Sequence, residues 1–269
     1  MDMHRPPFLD PTYKLVADYD FRSKIRTLKA LYENFYTRYW FNGGSLDTLS
    51  GNSEKSVARD IHILEPDNGG LYLPLMLNGS LYGGTGSFWA GFIRSRRGFQ
   101  PPFYVEARIK PPKIDQGVVS AVWCTPSSID AKPEVDLVEI ASGPNDTSWR
   151  SYHGLHQGWP DRADIGASGI LAQRGSSGIF EPGYDYADRL STFGCLIEPD
   201  FTSHYLNNLL LARRECPWRI QATGDIAPPA NVIANIWTGG PWVSTPKSGN
   251  DLPCFMQVEF IRVWQPNGL

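Results

Sequence analysis

Residues 133–140 read Pro-Glu-Val-Asp-Leu-Val-Glu-Ile and bring three carboxylates, Glu134, Asp136 and Glu139, close together in the chain. Paired carboxyl groups suit acid–base and nucleophilic work, one ionised and the other held protonated by its neighbour's charge. Cleavage of a glycosidic bond with retention needs such a pair about 5–5.5 Å apart around the scissile oxygen. A third carboxylate between them can hydrogen-bond the nucleophile and keep one group of the array protonated and one ionised. On a regular strand side chains alternate, so Glu134 and Asp136 share a face and Glu139 falls on the other. One extra residue, a β-bulge in Leu137-Val138, puts all three on one face and leaves Val135 and Ile140 for the other. By itself an E-x-D-x-x-E string is more often a solvated acidic face. Aligned like charges repel, however, and that cost calls for a purpose or a bound cation.

The elements that must position these groups are short. From about residue 60 the chain runs as brief apolar or alternating segments separated by Gly, Pro, Asn or Asp, among them FWAGFIRS, FYVEARIK, VVSAVWCT, TFGCLIE, VIANIWT and FMQVEFIRVWQ. That pattern predicts an all-β sandwich or jelly roll. In Tyr104 to Lys110, Val105, Ala107 and Ile109 fall on one face and Glu106, Arg108 and Lys110 on the other, as in a half-solvated strand. The closing run from Met256 to Trp264 alternates less cleanly, so both its faces are expected to be covered. One helix is predicted over residues 23–39, where Ile25, Leu28, Leu31, Tyr32, Phe35 and Tyr39 recur at helical spacing with Ser23 as N-cap. Stretches 65–70, 157–183 and 238–253 read as long surface loops. Without a repeat or a linker, residues 1–269 are expected to form a single domain.

Composition narrows the function. With 28 acidic and 25 basic side chains the net charge is -3, which suggests neither nucleic acid nor an anionic membrane as partner. Hydrophobic residues at 41% and charged residues at 20% allow a sizeable core. No apolar run is long enough to span a bilayer, and the start MDMHRPPFLDPTYK lacks the apolar region of a secretory signal. Cys124, Cys195, Cys216 and Cys254 show no zinc-ligand spacing and are expected to be free, buried thiols. The chain is rich in Trp, Tyr and Phe, with 9, 12 and 13 of them, as is common where flat rings stack on sugars.

Taken together, four segments resemble glycoside hydrolase family 16, the laminarinase-like enzymes. These are ADYDFRS (17–23), GFIRSRRGFQPPFYVEARIKPP (91–112), PEVDLVEI (133–140) and VEFIRVWQ (258–265), in the family's order and spanning nearly the whole chain. The bulged spacing is similar to the branch holding β-1,3-glucanases, agarases and carrageenases. The resemblance implies a concanavalin-like β-jelly-roll sandwich of two curved antiparallel sheets, with the helix as a peripheral N-terminal element. It implies Glu134 as nucleophile, Asp136 as its assistant and Glu139 as general acid/base, with no cofactor in the cycle. A structural calcium ion is also known in the family, with Asp20 and Glu259 as conceivable contributors. Asn52-Ser53-Glu54 is similar to an element of members acting on bacterial exopolysaccharides, which makes Glu54 a subsite residue. Trp123 and Trp242 resemble family positions near the cleft. The usual His-Thr-Tyr near residue 193 is here Ser-Thr-Phe, and a family Trp is replaced by Ile197; both departures bear on the substrate subclass.

Further substrate contacts are expected from loop tryptophans Trp149 and Trp159, from His153 and His156, and from Arg94, which stands beside Arg96 and Arg97. His153 and His156 lie three apart and so on opposite faces of a regular strand. A guanidinium forks well onto a sulfate, pyruvyl or succinyl substituent. The expected activity is endo-acting, retaining hydrolysis of a β-linked polysaccharide by a monomer. β-1,3-Glucan ranks first, then an acidic bacterial exopolysaccharide, then a galactan. The alternatives are a polysaccharide transglycosylase and a non-catalytic lectin, against which the full carboxylate triad argues.

Overall fold

Short β-branched and aromatic runs broken by turn residues pair into two mainly antiparallel sheets, the expected jelly-roll sandwich. The structure, a computed structural model, describes residues 4–37, 56–79, 87–114, 117–126, 133–142, 151–153, 155–156, 179–215, 218–220, 223–239, 243–246 and 251–268. Its strands are β1 (Tyr13–Asp20), β2 (Phe35–Tyr36), β3 (Ser56–Ala58), β4 (Ile63–Glu65), β5 (Gly70–Leu77) and β6 (Phe88–Ala90). There follow β7 (Phe92–Ser95), β8 (Phe103–Lys110), β9 (Val118–Pro126), β10 (Glu134–Ser142), β11 (Ser151–Tyr152) and β12 (Leu155–His156). The last are β13 (Ile179–Phe180), β14 (Ser191–Ile197), β15 (Phe201–Leu206), β16 (Leu209–Glu215), β17 (Ala230–Trp237) and β18 (Cys254–Pro266).

The larger sheet runs β16-β15-β14-β8-β18-β5-β6-β3, with β1 also on β18 and β4 on β5. The smaller runs β13-β11-β10-β9-β17-β7-β2, with β12 also on β10. Between them lies one core. Val105, Ala107 and Ile109 of β8 and Val258, Ile261 and Val263 of β18 belong to the same buried cluster as Val122 of β9, Val135 and Leu137 of β10 and Val232, Ala234 and Ile236 of β17. Removing that much apolar surface from water is what holds the sheets together.

The uneven alternation of the closing strand has a local cause. The register of β18 against β8 shifts between Val258 and Phe260, so Glu259 is the extra residue of a bulge. Before it Met256 and Val258 face the core, and after it Ile261 and Val263 do. The other face of this sheet is covered too. Leu9, Tyr104, Tyr205 and Trp264 form a second buried cluster, and Phe8 stacks on Tyr205 at 4.0 Å between ring centroids. Glu106, expected to be half-solvated, is therefore buried.

The helix is shorter than its periodicity predicts. It spans Leu28–Asn34, is capped by Thr27 rather than Ser23, and buries Leu31. The Asp20 carboxylate accepts from the amides of Arg22 and Ser23 and holds that stretch in a turn. Phe35 and Tyr36 leave the helix extended and add an edge strand to β7. Among the described residues no helix is long and apolar enough to cross a membrane. Cys124, Cys195 and Cys254 are buried thiols outside any disulfide, as expected, and Cys216 lies outside the described residues.

Candidate active site

Strand β10 carries the carboxylates, and its register locates the bulge. Asp136 pairs with Trp123 of β9 and Val138 with Val122, leaving Leu137 as the extra residue; Glu139 then pairs with Ala121. Trp123 and Ala121 are two apart on β9 and so share a face, and directly paired residues lie on the same face as each other. Asp136 and Glu139 therefore share the outer face of the smaller sheet, and Glu134, two before Asp136, joins them. The bulge compresses Asp136 to Glu139 into a two-residue advance of roughly 7 Å. On β10's other side, Glu134 pairs with His156 and Glu139 with Tyr152. Asp136 is buried, whereas Glu134 and Glu139 are partly exposed at the ends of the array.

The same face can be followed across the sheet. Asp136, Trp123, Ile233, Arg94 and Tyr36 are partners in turn on β10, β9, β17, β7 and β2. At roughly 4.8 Å per strand, this row carries Arg94 about 14 Å from the carboxylates, the length of a few sugar rings. Trp123 is 7% exposed and donates from its indole N–H to Asn235 Oδ1 at 2.8 Å, which orients the ring. Arg94 is buried on the strand, and its guanidinium lies 4.5 Å over the Tyr36 ring. Arg96 lies 4.0 Å from the same ring. Sequence reasoning missed Tyr36, whose assignment to the helix hid its place at the end of this row.

His153 turns its ring into the core, toward Phe193 and His204, rather than onto the outer face. Its ring is buried, and Nδ1 donates to the Leu137 carbonyl at 2.6 Å while Nε2 accepts from the Ser151 hydroxyl at 3.0 Å. Ser151 in turn accepts from the Tyr186 hydroxyl at 2.9 Å. From the opposite sheet, fully buried His204 donates from Nε2 to the Asp136 carbonyl at 3.0 Å. Burial pushes His153 down to about 4 and His204 well below the usual imidazole range, so both are neutral at pH 7. His204 was also missed. The available signal was a titratable residue at a core-facing place in Thr202-Ser203-His204-Tyr205-Leu206, between inward Thr202 and Leu206. Of the remaining expected contacts, Glu54, Trp149, Trp159, Trp242 and the His156 side chain lie outside the described residues.

The residues considered for a structural calcium do not fit one. Asp20 Oδ1 accepts two backbone amides, and Oδ2 lies 3.4 Å from Arg262 Nη2. Glu259 is paired with Arg22 at 2.8 Å and with Arg108 at 3.0 Å. Guanidinium groups hold both carboxylates, and among the described residues no cluster of three or more His, Cys, Asp or Glu is arranged for a metal.

No family model and no curated protein matches the chain by sequence. Solved structures do match its fold. An endo-β-1,3-glucanase from Pyrococcus furiosus superposes with a TM-score of 0.70 at 21% identity, covering 94% of each chain. The catalytic domain of a laminarinase from Thermotoga petrophila gives 0.69 at 19%, over 95% of this chain and 99% of that one. A κ-carrageenase from Pseudoalteromonas carrageenovora, solved with a κ-carrageenan oligosaccharide, gives 0.68 at 16%, over 97% and 98%. This chain thus has, over nearly its whole length, the jelly-roll fold of those two glucanases and that carrageenase.

Proposed function

We propose that this chain is an endo-acting, retaining glycoside hydrolase of family 16. The observation that carries the reading is the bulge at Leu137, which sets Glu134, Asp136 and Glu139 on one outer sheet face, two of them partly exposed. Glu139 protonates the leaving oxygen while Glu134 attacks the anomeric carbon. Glu139, now a base, takes a proton from water, which releases the glycosyl-enzyme with the starting configuration restored. Asp136, between them and screened from water, hydrogen-bonds the nucleophile and keeps the shared charge apportioned. Two carboxyl groups suffice, so the cycle needs no cofactor.

The scaffold matches glucanases and a carrageenase almost equally well, so the substrate must be argued from the residues of the face. β-1,3-Glucan remains the first substrate. Arg94 favours a second, an acidic exopolysaccharide, because it shares the carboxylates' face about three strands away and could fork onto an anionic substituent. The test is reducing-end release from laminarin, lichenan, agarose, carrageenan and a succinylated or pyruvylated bacterial polymer. One polymer is expected to be cut, with the β-anomer appearing first by proton NMR. Glu134→Gln should lower the rate by on the order of a thousandfold or more with the fold preserved. Near-wild-type rates in that variant would overturn the assignment. If the acidic polymer is the one cut, Arg94→Ala should raise its KM by about tenfold, the loss of roughly 1.4 kcal/mol of binding. An unchanged KM there removes Arg94 from the subsites.

A further inference from the structure

A bulge that re-aims a carboxylate also breaks the hydrogen-bond ladder that would have held its own backbone. Between the pairs Val135–Leu155 and Glu139–Tyr152, β10 supplies three residues and the neighbouring segment two, so the ladder is interrupted on this side as well. The carbonyls of Asp136 and Leu137 lie in this interrupted stretch. A buried carbonyl left without a donor costs about 1–3 kcal/mol, and a bulge with two of them would tend to slip back to a regular strand. Such a slip turns Glu139 to the core face.

Each of these carbonyls is met by an imidazole. His153, from the segment beside the bulge, donates to Leu137, and His204 reaches across the sandwich from the opposite sheet to donate to Asp136. The rings touch edge to face with centroids 5.4 Å apart. Their protonation pattern follows from their partners. His153 carries its proton on Nδ1, because the Leu137 carbonyl can only accept, and Nε2 of the neutral ring is then the acceptor facing the Ser151 hydroxyl. His204 carries its proton on Nε2, and its Nδ1 has no partner among the described residues, as a bare lone pair tolerates better than an N–H would. Arg214, buried on β16 beside Thr202, opposes protonation of both rings, and Asp136 favours protonation of His153.

We propose that His153 and His204 are positioning residues that lock the Leu137 bulge and so keep Glu139 on the face of Glu134. The proposal rests on the assignment of those two carboxylates to the reaction. It separates the histidines from ordinary core residues, because what is needed is the one N–H of each ring and not its volume alone.

The experiment contrasts loss of the donor with its retention. Glutamine places an N–H near the site of imidazole Nε2, and asparagine near that of Nδ1. His204→Leu and His153→Leu are expected to lower kcat at least tenfold on the cleaved polymer, with KM within twofold of wild type. His204→Gln and His153→Asn are expected to recover most of that loss. Equal kcat in the Leu variant and its amide counterpart overturns the proposal. Should the Leu variants fail to fold, side-chain 15N NMR of the wild type decides, since only five histidines are present. His153 is expected as the Nδ1–H and His204 as the Nε2–H neutral tautomer at pH 7. A reversed or protonated ring at either position overturns the proposal while turnover persists, whereas a wild type that cuts no polymer counts against the hydrolase assignment first.

Discussion

Glu106 sits on β8 between two strands, opposite Arg262 on β18 and Gly194 on β14, under the aromatic cluster of the larger sheet's outer face. Tyr104 donates to its Oε2 at 3.2 Å, and the bare Cα of Gly194 leaves room for that hydroxyl, which a Cβ there would strike. Burial nevertheless wins and pushes Glu106 up to about 7, with Arg262 opposing the shift. Arg262 is largely occupied by Asp18 at 2.9 Å and Asp20 at 3.4 Å, which is why it does not hold Glu106 ionised. A carboxyl whose folded value is raised binds a proton that the unfolded chain has already released, so its contribution to stability declines as pH rises from about 4.5 through about 7. Glu106→Gln is therefore expected to be more stable than wild type at pH 8, by about 1–3 kcal/mol, and near neutral at pH 4.5. Urea midpoints at the two pH values check this, and equal differences at both would contradict it.

Among the elements, β18 joins three others, pairing with β1, β5 and β8. Its bulge turns Glu259 outward to the Arg22 and Arg108 guanidiniums, while its second half sends Arg262 to β1's acidic end. These pairs do locally what a divalent ion would do for the same carboxylates, neutralising charge and tying β1 to the sheet. A chelator is thus expected to leave the melting temperature within about 1 °C of the untreated protein. A fall of several degrees in EDTA, reversed by calcium, would show that oxygen ligands outside the Arg-bound pair hold an ion. The Leu137 bulge acts on the same scale, since a shift of one residue decides which face a carboxylate occupies.

For the whole molecule, the buried imidazoles set the acid limit. Burial lowers His62, His153 and His204, so below about pH 6.5 the unfolded chain takes up protons that the folded chain refuses. Stability therefore falls as pH drops from 6.5 toward 4, by about 1.4 kcal/mol per pH unit for each fully shielded histidine. Glu106 works in the opposite sense over pH 7 to 4.5, one group against three. A net decline in the urea midpoint between pH 7 and 5 is expected, shallower in His153→Asn, which keeps the donor and loses the titration. A flat profile would mean that the histidines are hydrated or already protonated.

Much of this was legible in the chain itself. Alternation in Tyr104–Lys110 located a strand and its core face, and Glu134, Asp136 and Glu139 carried in their spacing the need for one extra residue. These are local properties, governed by a side-chain period of two and by charges a few residues apart. The helix boundary was misplaced because Ile25, Phe35 and Tyr39 have helical spacing with the residues between them, yet Asp20's capping of the preceding turn and the pairing of Phe35 and Tyr36 with β7 outweigh propensity. Glu106 seemed solvated because alternation reports a face and not what covers it. The His204 contact and the row from Trp123 to Tyr36 join residues about 60 to 140 positions apart in sequence, so only tertiary structure could decide them. No local pattern records which distant carbonyl a buried N–H must satisfy, and that requirement is met only when two sheets close on one another.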